Sequence, residues 1–214
     1  MVMHHIPDEY LMAYSAGILP ESFSLVVASH VSLSDDSRAR LEAFDAVGGA
    51  VLETVAPGEV TDDSLAATLA LIGGAPPDPA PAAAPVATGI FPGPLQAYVG
   101  GDVDTVAWRP IGKGARQAIL VSGESASVRL LYIPSGIAMP DHGHHGTEMT
   151  LVLQGAFRDE SGEFHRGDIE LADASDQHTP VAIGPTPCIC LTATDARLRF
   201  KTLLPRLAQP FLRI

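Results

Sequence analysis

Apolar residues recur at three- and four-residue spacing through the first 75 positions, and beyond residue 95 they gather into short runs punctuated by Gly, Pro and Asp. The first texture predicts helices. Pro7 opens one as its N1 residue, Tyr10, Leu11 and Tyr14 form its stripe, and Gly17 ends it. Pro20 opens a second with Phe23, Val26, Val27 and His30 on one side. A third begins after the capping residues Ser34 and Asp35 and carries Leu41, Phe44, Val47 and Val51. Thr61-Asp-Asp-Ser caps a fourth, with Leu65, Leu69 and Ile72, that stops at Gly73-Gly74. Residues 1–74 therefore predict a small helical bundle.

The second texture predicts strands: 117–121, 127–133, 147–154, 168–172, 180–183, 188–192 and 198–203. Many short strands at this spacing indicate a β-sandwich or barrel. Between the two textures, residues 73–94 hold seven of the eighteen prolines and four glycines, a composition suited to an extended linker. The chain thus reads as an α + β protein of two domains, 1–74 and 95–214, joined by a Pro/Ala/Gly linker over 75–94.

Charge sharpens that division. Residues 1–75 hold eleven acidic and two basic side chains, whereas the remainder holds fourteen and eleven. A phosphate backbone would repel the first segment and a basic protein surface would attract it, so direct DNA binding is not expected. Acidity that merely keeps a chain soluble explains the sign but not the concentration in one third of the sequence. No apolar run approaches the ~20 residues that span a bilayer, and no basic, then apolar, leader opens the chain; a soluble cytoplasmic protein without membrane contact is expected. The two cysteines, Cys188 and Cys190, lie in an apolar run and face the same way on a strand, as buried structural thiols. A redox pair is the alternative.

Candidate chemistry concentrates between Gly136 and Gly155. His142 and His144, one residue apart on an extended strand, project from one face, and Glu148 follows after a short turn. Two imidazoles and a carboxylate suit a divalent first-row metal, and His178 is the natural fourth donor. Such a set holds Zn²⁺ tetrahedrally, or Fe, Mn or Ni with open positions. His145 points to the opposite strand face, and His165 reads as a turn residue.

Gly136, His142-Gly-His144, Glu148 and Gly155 match the first motif of the cupin superfamily at every spacing. Phe164-His-Arg-Gly167-Asp168 resembles the opening of the second motif, with His165 in place of the usual proline. The resemblance implies a jelly-roll barrel with a metal held by His142, His144, Glu148 and His178. Nearer the N-terminus, His5 and then His30-Val-Ser-Leu-Ser34-Asp-Asp-Ser37 look like the H…HxxxCxxC pattern of zinc-binding anti-sigma domains, with serine at both cysteine positions. Helical domain, linker and cupin together resemble ChrR-type anti-sigma factors over nearly the whole chain. That resemblance implies a regulator that holds an extracytoplasmic-function sigma factor inactive and releases it in response to singlet oxygen or related oxidants.

The serines depart from the pattern. A hydroxyl is a neutral, weak donor that stays protonated near neutral pH, so His5, His30, Ser34 and Ser37 are expected to form a degenerate site without zinc. Asp35 and Asp36 suit helix capping better than ligation. The alternative to a regulator is a cupin metalloenzyme, a dioxygenase or hydrolase that uses an open coordination position for substrate or O₂. It leaves the helical segment unexplained and finds no general acid or base beyond the ligands and His145 or His165. A cupin barrel that senses a small molecule is compatible with the regulatory reading.

Overall fold

The structure, a computed structural model, describes residues 4–74, 89–123, 125–201 and 209. Four helices open it: α1 (Asp8–Ser15), α2 (Glu21–Val31), α3 (Asp35–Glu53) and α4 (Ser64–Gly74). Pro7 and Pro20 stand one position earlier than predicted, as N-caps with extended ψ of 150° and 147°. Their rings preset φ near −60° while the helical ψ begins with the acidic residue that follows. Gly17, at φ +68°, ends α1 in a Schellman turn in which Ile18 N–H donates to Ala13 O at 3.0 Å. Ser34 caps α3, its hydroxyl accepting from Ser37 N at 3.2 Å.

The helices divide into a buried and an unburied pair of segments. Leu11, Phe23, Leu25, Val26 and Val27 are buried, and Leu41 and Phe44 pack partly against them. Beyond Phe44 the periodicity finds no partner: Val47, Val51, Leu65, Leu69 and Ile72 are between 57% and 70% exposed. The stripe expected as the core of a four-helix bundle is thus an open apolar face on α3 and α4.

The β portion is built from antiparallel strands. Six of them, in the order β1 (Arg109–Gly112), β2 (Ala115–Ser122), β3 (Ser127–Ile133), β11 (Cys188–Thr194), β5 (Glu148–Gln154) and β8 (Ile169–Ala172), form the main sheet. Two three-stranded sheets complete the fold. One joins β10 (Val181–Ile183), β6 (Ala156–Arg158) and β7 (Glu163–His165); the other joins β12 (Leu198–Phe200), β4 (His142–His144) and β9 (Gln177–His178). This is a cupin-like β domain, in three sheets that do not close into one continuous barrel among the described residues. Thr202 and Leu203, expected at the end of the last strand, lie outside the described residues, as do positions 75–88 of the expected linker.

Alternation gives the main sheet two different faces. Val128, Leu130, Met149, Leu151, Leu153, Ile189 and Leu191 share one core with Leu11, Phe23, Val26 and Val27 of α1 and α2. The opposite face presents Arg129, Leu131, Glu148, Thr150, Cys190 and Thr192 to a cavity. A short helix unpredicted from the sequence, α5 (Gly93–Val99), follows the buried Phe91 and inserts Leu95 into the shared core. Proline-rich composition concealed it: Pro92 at its N-cap and Pro94 in its first turn are positions that tolerate proline.

Candidate metal centre

β4 carries His142 and His144 inward, β5 begins at Glu148, and β9 brings His178 directly opposite His142 in the antiparallel ladder. All four are buried, and their donor atoms lie within 4.8 Å of one another. His178 Nε2 is 3.1 Å from His142 Nε2 and 3.2 Å from His144 Nε2, and His144 Nδ1 is 4.0 Å from Glu148 Oε2. Gly143 permits the tight pairing, because a Cβ there would press against Arg199 Nη2 and Asp176 O, each at 3.0 Å. His145 is exposed, outside the cluster, and His165 ends β7 beside the turn.

Hydrogen bonds around the cluster decide which ring nitrogens face inward. His142 Nδ1–H donates to Pro140 O at 2.8 Å, and His178 Nδ1–H donates to Asp159 Oδ2 at 2.8 Å and Glu170 Oε1 at 3.0 Å. Both Nε2 atoms therefore face one point. When His178 is charged, its Nε2–H donates across this gap, and a bound metal ion would take the place of that proton. Tetrahedral Zn–N bonds of ~2.0–2.1 Å place ligand atoms about 3.3 Å apart, close to what is observed. His144 Nδ1 is buried without a hydrogen-bond partner among the described residues, a further mark of an incomplete polar site. The donor set fits a divalent cation.

Charge in the supporting shell has a clear direction. Burial opposes a charge on His178, but the Glu170 and Asp159 carboxyls outweigh it and raise its pKa to about 9. Glu170 is pushed up to about 8 by burial, its neighbour Asp159 adding to the rise. Despite burial, hydrogen bonds with Glu170, Ser161 and His178 hold Asp159 well below the usual carboxylate range. A protonated Glu170 and an anionic Asp159 thus steady the ring that faces the centre, the arrangement by which outer carboxylates orient metal-binding histidines. Burial, reinforced by the neighbouring His178, depresses His144 to about 4, which keeps that imidazole neutral and able to ligate.

Sequence reasoning missed Asp159 and Glu170. Glu170 left one trace, a carboxylate in the otherwise apolar run Ile169-Glu-Leu-Ala172; Asp159, in the turn after β6, left none. Beside the donors opens a cavity of about 890 Å³, whose sheet wall grades from Leu131 and Cys190 to the rung Arg129, Thr192 and Thr150. Cys188 and Cys190 lie on this side as buried free thiols with Sγ atoms 3.5 Å apart.

The N-terminal residues occupy a separate place. His30 Nε2 is 2.8 Å from Ser37 Oγ, and Ser37 Oγ is 3.2 Å from Ser34 Oγ. His5 stands at the edge, its Nδ1 3.8 Å from Asp36 Oδ2. Among the described residues the clusters of His, Cys, Asp or Glu close enough to hold a metal all contain His178; this one is not among them.

Comparisons with known proteins agree with this architecture. Residues 96–197 match the family described as ChrR Cupin-like domain. The anti-sigma-E factor ChrR of Cereibacter sphaeroides is 54% identical over 215 residues, covering all of this chain and 99% of that protein. The structure resembles that of Rhodobacter sphaeroides SigE in complex with the anti-sigma ChrR, with a TM-score of 0.79 and 51% identity over 91% of this chain and 100% of that one. Identity of this order across the helices as well as the cupin portion makes the chain a regulator rather than an enzyme, and it belongs to the ChrR family of anti-sigma factors.

Proposed function

We propose that this protein sequesters an extracytoplasmic-function sigma factor through residues 1–74, with residues 75–94 as linker, and that the metal centre of residues 95–214 modulates release in response to singlet oxygen or related oxidants. The observation that carries the first part is the open face of α3 and α4. Val47, Val51, Leu65, Leu69 and Ile72 are exposed there, and Asp45, Glu53, Asp62 and Asp63 belong to the same segments. Exposed apolar side chains on segments that also carry carboxylates suit a partner that offers apolar and basic residues. The relative's complex with SigE supports a partner of this class. Action on a sigma factor implies the cytoplasm, and no described helix is long and apolar enough to cross a membrane.

The second part rests on the centre itself. Zn²⁺ fits three imidazoles and a carboxylate held by His142, His144, Glu148 and His178; when bound, it would supply a fixed positive charge that keeps four strand ends together. The chain's own residues do the positioning: Pro140 O and the Asp159–Glu170 pair set the inward nitrogens. The decisive test is co-purification of the full chain with its cognate sigma factor. Leu65→Asp together with Leu69→Asp should abolish the complex while leaving circular dichroism and metal content unchanged. Retained binding in that variant would overturn the assignment of the face.

A further inference from the structure

The degenerate N-terminal site is built, buried and fully hydrogen-bonded, although it lacks thiolates. His30 is 1% exposed, Ser37 0% and Ser34 8%. Each proton in it has one consistent place. Gly167 O is an acceptor, so His30 Nδ1–H donates to it at 3.0 Å, which leaves Nε2 with a lone pair. That lone pair accepts from the Ser37 hydroxyl at 2.8 Å, Ser37 Oγ accepts from Ser34 Oγ–H at 3.2 Å, and Ser34 Oγ accepts from Ser37 N–H at 3.2 Å. No lone pairs face one another, and none of the three relay groups is an anion; the nearby carboxylates of Asp36 and Asp168 stand outside the relay.

From this we infer that the chain holds its α2–α3 junction with a neutral serine–serine–histidine relay in place of the family's N-terminal metal, and that the relay clamps the helices to the cupin domain without any ion. A divalent cation here would meet three buried neutral donors, His30, Ser34 and Ser37, with no thiolate to offset its charge, and would have to displace the proton that Ser37 donates to His30. Arg40 adds a further unfavourable positive charge near His30, which burial already holds neutral, its pKa lowered to about 4.

The relay ends on the β domain. Gly167 belongs to the turn that enters β8; next to it Asp168 accepts from His4 N at 3.3 Å and from His165 N at 2.8 Å, and Ile169 N–H donates to His4 O at 3.0 Å. Two residues further, Glu170 accepts from the metal-facing His178. The relay and the cupin centre therefore bear on one short segment, the relay at Gly167 in the turn and His178 at Glu170 on β8. In this chain the shared apolar core between helices and cupin is supplemented at the α2–α3 junction by hydrogen bonds that no chelator or thiol oxidant attacks.

The test uses the full-length chain with zinc as the probe. With the cupin ligands removed by His142→Ala and Glu148→Ala, the protein should bind no stoichiometric zinc by elemental analysis. The His30 ring of the unsubstituted protein should keep the Nδ1–H tautomer by nitrogen NMR, unchanged by zinc or by a strong chelator. Ser37→Ala should raise amide hydrogen exchange across Val31–Ser34 by about tenfold, with no change in zinc content. A zinc equivalent that persists without the cupin ligands and disappears on His30→Gln, or a zinc-dependent shift of His30 Nε2, would overturn the inference. If Ser37→Ala fails to fold, the tautomer measurement still decides. Loss of sigma-factor binding bears on the proposed function alone, because none of these readouts involves the partner.

Discussion

Two buried clusters of histidine with oxygen-bearing neighbours touch the short segment Gly167–Glu170, and they differ in how their protons are placed. In the cupin cluster His142 and His178 both spend Nδ1–H on outer acceptors and turn their Nε2 atoms on each other, 3.1 Å apart. In the N-terminal cluster each lone pair meets a proton, from Ser37 to His30 and from Ser34 to Ser37. The first arrangement converges ring nitrogens on a point that a metal ion or a proton on His178 can occupy, and the second is complete without an ion. Residue type alone does not separate them, since both contain histidine; what surrounds each ring does.

The largest expected effect breaks the comparison at its stronger end. His142→Ala with Glu148→Ala removes two of four donors and should reduce bound metal from one equivalent to none, read by elemental analysis; a retained equivalent would refute the ligand set. The reverse experiment restores thiolates to the other cluster. Ser34→Cys with Ser37→Cys should raise the content to two equivalents of zinc and tighten sigma-factor binding, the gain disappearing in a strong chelator. Equal affinity with and without the cysteines would show that the N-terminal metal is dispensable.

Support of the cupin centre is a smaller lever. Glu170→Ala removes one acceptor from His178 Nδ1 and should weaken metal affinity by about 10- to 100-fold, measured by competition with a chromogenic chelator. Stability against pH sharpens the N-terminal half of the comparison. His30 titrates near 6.5 when unfolded and near 4 when folded, so the folded state binds fewer protons. Its contribution is fully present above about pH 6.5 and is lost as the pH falls towards 4, by roughly 3 kcal/mol. Denaturant unfolding of the protein and of His30→Gln at pH 7.5 and 4.5 isolates that share, because the variant should lack this part of the slope. The smallest effect concerns the chain between the clusters. Cleavage within residues 75–88 should leave two fragments that co-elute on size exclusion, since α1 and α2 share a core with β3, β5 and β11. Fragments that separate at neutral pH would show that this core is too weak to hold them.

Reading the sequence went furthest where a local rule applies. The start of α3 followed from Ser34, the end of α1 from Gly17, and the candidate metal cluster from the spacing of His142, His144 and Glu148 together with the downstream His178. Each of these depends on short-range geometry: a side chain reaching its own backbone, a left-handed turn, or a two-residue strand period. Helix α5 was hidden by prolines that happen to occupy its tolerant end, and Asp159 lies nineteen residues from the ring it supports, with no spacing rule to connect them.

What the sequence by itself determined is therefore which positions are apolar, where α1 stops and α3 starts, and which side chains are candidate donors of the cupin centre. Tertiary structure alone decided what each apolar stripe touches. Phe23 and Val26 on α2 and Leu65 and Leu69 on α4 have the same periodicity, yet the first pair is buried against the sheet and the second is open. Periodicity reports that a face exists and carries no information about its partner, which depends on where the chain returns in space. The same reason explains why Ser37 read only as a missing ligand until His30 was placed between Ser37 and Gly167, a contact spanning 137 residues.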